Sequence, residues 1–174
     1  MIKIYETKSE EALKLGYVTV LKREVQDQNG GNRTVYIDKK SEVAVVFTLT
    51  LDQKVVCVRQ FRFGPNQVLT ELPAGKVDEG ETALAAAKRE LLEETGYEGD
   101  MEFVSSNFAA PNSTSIRHTF ICINARFNQE PTPTIFESQE TVLIDLKEFR
   151  ELIKTAQIFP VESAYLALDH LNKL

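Results

Sequence analysis

The chain has 174 residues, of which 43% are hydrophobic and 26% charged, and its formal net charge is −6. That length gives one ordinary domain with a substantial core and leaves a second full domain cramped. The negative balance excludes a general nucleic-acid or membrane-surface binder, so an anionic ligand would need a bound cation or a local basic patch.

The N-terminal MIKIYETKSEEALK has no apolar targeting core, and no stretch approaches the roughly 18 apolar residues of a spanning helix. The expectation is a cytoplasmic protein. Tyr17 to Val25 and Arg33 to Asp38 read as strands, and the turn cluster between them, with Asn29-Gly30 inside it, predicts a hairpin. Val43 to Leu51 and Lys54 to Phe61 form a second pair around Asp52-Gln53, and the apolar density of Val43 to Phe47 predicts burial on both faces. Cys57 and Cys122 lie in apolar runs and read as buried strand thiols, not as a disulfide or metal pair. Gly64-Pro65-Asn66 is a loop, Val68 to Leu72 a short strand, and Pro73-Ala74-Gly75 a turn.

That turn feeds the most informative stretch, GKVDEGETALAAAKRELLEETGY from Gly75 to Tyr97. Its composition predicts a helix of about four turns from Thr82 to Thr95, with Gly96 just past the end. At helical spacing Ala83, Leu84, Ala87 and Leu91 make an apolar stripe, Glu90, Glu93 and Glu94 flank it, and Ala86 leaves the acidic side slim. Glutamates at i, i+3 and i+4 repel one another, so helix stability does not favour them. A multivalent cation reverses that sign, and oxygen-only ligands suit Mg²⁺ or Mn²⁺ shared with substrate phosphates.

Downstream, Met101 to Asn107 and Arg117 to Arg126 read as strands around a loop from Ala109 to Ser115. Glu140 to Leu146 alternates as a strand, and Asp145 with Glu148 predicts a capping box opening a helix through Phe149, Leu152 and Ile153. A last helix, from about Val161 to Leu171, would place Tyr165, Leu168 and Leu171 on one face. His118 and His170 fall on a strand and the terminal helix and read as structural. The expected fold is an α/β sandwich with strands around one central helix.

The order Gly75, Glu81, Arg89, Glu90, Leu91, Glu93, Glu94, Gly96 and Tyr97 resembles the Nudix box at every specified position. The resemblance implies an α/β/α sandwich with a mixed sheet, residues 41–174 forming the Nudix domain and residues 1–40 an accessory N-terminal β-hairpin region. It implies a metal site of Glu90, Glu93, Glu94 and the backbone carbonyl of Ala74, with Arg89 orienting a box glutamate. Glu81 is a water-mediated ligand or an acid placed at the helix start.

Gln60-Phe61-Arg62 followed by Glu71-Leu72-Pro73-Ala74-Gly75 resembles the ADP-ribose pyrophosphatase branch of that family. There the residue matching Arg62 contacts substrate phosphate, Glu71 lies near the site, and Pro111 falls where a loop proline borders the nucleoside sugar. The usual Pro-Gly and nearby acid are replaced by Pro111-Asn112-Ser113-Thr114-Ser115, and the chain has no tryptophan to stack on a base, leaving Tyr17 and Tyr36. Related enzymes take a catalytic glutamate from a loop before the strand leading to the first C-terminal helix, which points to Glu137 with Glu140 as its rival. The resemblance therefore implies a Mg²⁺- or Mn²⁺-dependent hydrolase of a nucleoside diphosphate sugar, ADP-ribose first, acting as a homodimer without nucleic-acid or membrane partners. The alternatives are another nucleotide sugar, a nucleoside triphosphate, a diphosphate isomerase, or a non-catalytic nucleotide-sensing module.

Overall fold

The computed structural model describes residues 2–132 and 139–174. Along it run β1 (Tyr5–Leu15), β2 (Val18–Asp27), β3 (Asn32–Lys39), β4 (Val43–Thr50), β5 (Lys54–Arg62), β6 (Gln67–Glu71) and β7 (Ala74–Lys76). Helix α1 (Ala83–Thr95) follows, then β8 (Tyr97–Phe108), β9 (Ile116–Phe127), β10 (Gln139–Asp145), α2 (Leu146–Lys154), β11 (Ile158–Phe159) and α3 (Val161–His170). No helix among the described residues is long and apolar enough to cross a membrane. The chain forms two compact units, Met1–Glu42 with Phe108–Ile116, and Val43–Asn107 with Arg117–Leu174.

The second unit is built on β4, whose successive side chains point to opposite faces. Ala44 and Val46 enter a core with Ala86, Ala87 and Leu91 of α1 and Phe120 and Cys122 of β9. Val45, Phe47 and Leu49 enter the other, with Val55 and Cys57 of β5, Phe149 and Ile153 of α2, and Ala164, Ala167 and Leu168 of α3. The expected two-sided burial of Val43 to Phe47 thus yields an α/β/α sandwich. Its sheet is mixed: β4 runs parallel to β9 and β11 parallel to β6, while β5 pairs antiparallel with β4, β6 and β10.

The edge of β5 is shared in succession. Val55 and Val56 pair with β4, then Val58 to Arg62 pair with β6, so the sheet splits between β4 and β6. Freed of β5, the start of β4 pairs with β7 instead, Val45 opposite Ala74 and Ala44 opposite Gly75. Residues expected as a turn into the helix are therefore strand, and that strand sets the chain beside α1.

Three local expectations are corrected. Asp145 is the N-cap residue of α2 but makes no side-chain cap hydrogen bond, so the Asp145–Glu148 capping box does not form. Its carboxylate instead lies 3.4 Å from Lys54 Nζ on the paired strand. In α3 Tyr165 is exposed, and the covered face is Ala164, Ala167 and Leu168. In α1 Leu84 is exposed while Ala86 is fully buried, so the helix is turned about its axis from the expected orientation.

In the first unit β2 pairs with β3 as the hairpin signal predicts, and β1 adds an unanticipated third strand with a register shift between Thr7 and Ser9. Tyr5–Leu15 is rich in Glu and Lys, which read poorly as strand; backbone pairing to β2 and an Arg23–Glu10 ion pair hold it there. The hairpin turn is organised by Asp27. Its carboxylate receives Lys3 Nζ at 2.7 Å and the N–H groups of Gly31 at 2.8 Å and Asn29 at 2.9 Å. These donors, Lys3 first, hold its pKa down to about 2. A carboxyl depressed in the folded state adds stability that is complete above the ordinary Asp range and lost as the pH falls through the folded value. Amide-exchange protection of residues 27–32 is expected to weaken as the pH falls from about 4 to about 2, and Asp27→Asn should remove that dependence.

Candidate active site

The site is built from the β7 strand and the inner face of α1. Thr82 caps the helix, its hydroxyl accepting from Ala85 N–H at 3.2 Å, and Gly96 ends it at φ 74°, donating its N–H to the Leu92 carbonyl. With Ala86, Ala87 and Leu91 buried, helical spacing carries Glu90 and Glu94 onto the same covered arc. These two acids do not flank the buried face as expected; they belong to it. Glu94 is 9% exposed, whereas the Glu93 side chain is half-exposed.

Glu94 Oε2 accepts the Ala74 N–H at 2.9 Å, tying the carboxylate to β7. The Glu90 carboxylate occupies the space above Gly75, where a Cβ would overlap it directly. Gly75 has no positive φ, so glycine is required there for room and not for backbone freedom.

Arg89 organises the remaining acids. Its Nε and Nη2 donate to the two Glu81 oxygens at 3.1 and 2.9 Å, Nη1 donates to Glu90 at 2.7 Å and Glu93 at 3.3 Å, and Nη2 also reaches the Lys76 carbonyl. The Glu81 hydrogen bond is the main reason the Arg89 pKa is raised, and the Arg89 hydrogen bond is the main reason Glu81 stays below the usual carboxylate range. Glu81 precedes the capping Thr82 and accepts the Asp78 N–H at 3.2 Å.

The residues fit a hard divalent cation. Every donor is an oxygen, and the cradle at Gly75 holds a carboxylate where any side chain would evict it. Among the described residues no group of three or more His, Cys, Asp or Glu side chains is arranged to hold a metal ion by itself.

On β5 and β6 of the same sheet, Arg62 Nε and Nη2 fork onto Glu71 Oε1 and Oε2 at 2.7 and 2.6 Å, with the Glu71 side chain 4% exposed. Arg62 and Glu71, expected separately near substrate, thus form one bidentate pair. Glu140 lies opposite Arg59 on β5, and alternation turns it to the sheet face away from Gln139 and Thr141. Glu137 lies outside the described residues. His118 Nδ1 is 2.7 Å from Ser106 Oγ and His170 Nε2 is 2.9 Å from Glu102.

In the first unit, Pro111 and Tyr36 line one pocket of about 630 Å³ together with Arg23, Ile37, Phe108 and Asn112. Tyr17, fully exposed between β1 and β2, is not among the described residues that line it. Sequence reasoning missed Gln139 and Thr141, which both donate to the Glu94 carbonyl at 3.3 Å. The alternation of β10 placed them on one face, but nothing in the sequence said which helix that face would meet.

A family model for the NUDIX domain matches residues 39–172. The chain is 30% identical over 179 residues to the methanol dehydrogenase activator of Bacillus methanolicus, covering 99% of this chain and 96% of that protein. It is 27% identical over 152 residues to the ADP-ribose pyrophosphatase of Bacillus subtilis, covering 86% and 82%. A crystal structure of an ADP compounds hydrolase superposes with a TM-score of 0.80 over 98% of this chain and 97% of its own, at 18% identity, which speaks to the fold alone. With the family model spanning residues 39–172 and the box acids gathered between α1 and β7, the chain belongs to the Nudix family.

Proposed function

We propose that this protein hydrolyses the diphosphate bond of a nucleoside diphosphate linked to a sugar, with ADP-ribose the first candidate and AMP and ribose 5-phosphate the products. The observation that carries the reading is the arrangement at Gly75, where Glu90 fits only because no side chain is present, beside Glu94 tied to Ala74 and Glu93 held by Arg89. The ADP-ribose pyrophosphatase relative supports the substrate class.

In this reading Glu90, Glu93, Glu94 and the Ala74 carbonyl hold Mg²⁺ or Mn²⁺, which when bound supplies charge neutralisation on the diphosphate. A diphosphate is inert because its oxygens repel a nucleophile, so positioned positive charge and an ordered water are the main requirements. Arg89 fixes the acids and does not touch substrate. Arg62, held by Glu71 through two of its nitrogens, is the guanidinium assigned to a substrate phosphate oxygen, which its planar fork suits. Water oxygen bonds to phosphorus, the bridging P–O bond breaks with its electron pair leaving on the departing phosphate, and the water proton passes to Glu93 or Glu137. Tyr17 and Tyr36 are the aromatic side chains available to stack on a base, and Pro111 is the loop proline expected beside the nucleoside sugar. Residues 1–40 act as the accessory region of a cytoplasmic homodimer.

The test is purified protein with Mg²⁺ and, separately, ADP-ribose, ADP-glucose, GDP-mannose, UDP-glucose, dinucleoside polyphosphates and nucleoside triphosphates, with products separated by chromatography. AMP and ribose 5-phosphate formed fastest is the expected result. Fastest turnover of triphosphates, or no turnover of any compound, would overturn the reading. A second reading rests on the end-to-end similarity to the methanol dehydrogenase activator. Stimulation of methanol dehydrogenase that disappears in Glu94→Gln would support it.

A further inference from the structure

The last turn of α1 ends in carbonyls that no residue of the helix can satisfy, and this turn carries Glu93 and Glu94. The helix end is the negative pole of the peptide dipoles, and no basic residue lies in its last turn. Three glutamates on its last two turns compound that charge, so the turn needs hydrogen-bond donors from elsewhere.

They come from the chain on both sides of residues 133–138. Thr132 N–H donates to the Glu93 carbonyl at 2.8 Å. Gln139 Nε2 and Thr141 Oγ1 both donate to the Glu94 carbonyl at 3.3 Å. The strand register explains why both reach one atom. Gln139 lies opposite Gln60 and Thr141 opposite Val58 on β5, while Leu69 and Glu71 of β6 lie opposite the same two residues. Partners across a ladder share a face, so Gln139, Thr141, Gln60 and Glu71 stand on the face that α1 covers.

Stability alone does not favour Gln139. Its Oε1 is buried and has no hydrogen-bond partner among the described residues, and an apolar residue would avoid that desolvation. We propose that Gln139 and Thr141 are positioning residues, whose shared grip on the Glu94 carbonyl holds the Glu93 and Glu94 carboxylates in register with Glu90 for a divalent cation. The proposal rests on the metal-dependent hydrolase reading. It adds a second anchor to that of Ala74: one fixes the Glu94 carboxylate, the other its backbone.

The test measures Mn²⁺ binding to the 174-residue protein by electron paramagnetic resonance without substrate, alongside the Mn²⁺ dependence of turnover. The Gln139→Leu/Thr141→Val protein is expected to bind Mn²⁺ about tenfold more weakly, in the range seen when outer-shell partners of metal ligands are removed. Thr141→Ser, which keeps the hydroxyl, should bind like the wild type, a rescue that a purely structural methyl contact would not give. Unchanged Mn²⁺ affinity in the folded double variant overturns the proposal while leaving the hydrolase reading intact. A wild-type protein that binds no Mn²⁺ overturns both. Should the double variant fail to fold, Thr141→Val against Thr141→Ser decides: weaker binding in the valine protein supports the grip, and equal affinity overturns it.

Discussion

Glu94→Gln is expected to fold normally and to lose about 10³-fold or more in kcat, since the several kcal/mol a metal contributes at a phosphoryl oxygen convert at about 1.4 kcal/mol per decade. The substitution is isosteric, and the glutamine oxygen can still accept the Ala74 N–H that now reaches Glu94 Oε2 at 2.9 Å. What disappears is a negative charge on a residue only 9% exposed. Removing it relieves repulsion with Glu90 one turn away and the cost of keeping a charge out of water, so thermal stability should hold or rise slightly. Loss of activity with a retained or higher Tm separates a ligand from a structural acid. A Glu94→Gln protein with wild-type turnover in Mg²⁺ would remove Glu94 from the metal site.

The same residue marks how far the sequence could be read. The C-terminal end of α1 was legible because its cap is local, Gly96 taking the left-handed turn that a Cβ disfavours. Thr82, read from composition as the first helical residue, is instead the N-cap whose hydroxyl accepts from Ala85 N–H. The two-sided burial of β4 was legible as an unbroken apolar run. The facing of α1 was not, because apolar periodicity weighs Leu84 above Ala86 and cannot see that Glu90 and Glu94 belong to the covered arc. Their burial depends on partners distant in sequence, Ala74 and the bare Cα of Gly75. The strand at Ala74–Lys76 was hidden for a similar reason: it exists because β5 leaves β4 early and exposes an edge. Tyr5–Leu15 shows the converse, since ladder bonds to β2 outweigh a sequence of poor strand formers.

Gly75→Ala is expected to lower turnover by about 100-fold while changing stability by less than about 1 kcal/mol. The two effects separate because of what the new methyl meets. The backbone at Gly75 lies outside the left-handed region, so alanine fits the chain and restricts the unfolded state, which by itself stabilises by about 0.4–1 kcal/mol. The methyl would overlap the Glu90 carboxylate, the far end of a flexible side chain that can swing aside. Swinging aside is cheap for the fold but breaks the 2.7 Å bond from Arg89 Nη1 and moves an oxygen of the proposed metal site. The clash therefore falls on function. A double-mutant cycle makes the point independent of any single variant. With Glu90 already cut back to alanine there is nothing for the methyl to displace, so adding Gly75→Ala to Glu90→Ala should raise Tm and cost no further activity. If Gly75→Ala instead kept wild-type turnover and Mn²⁺ dependence, the position of the Glu90 carboxylate against Gly75 would have no part in catalysis. The glycine that opens the box would then be serving the chain path alone.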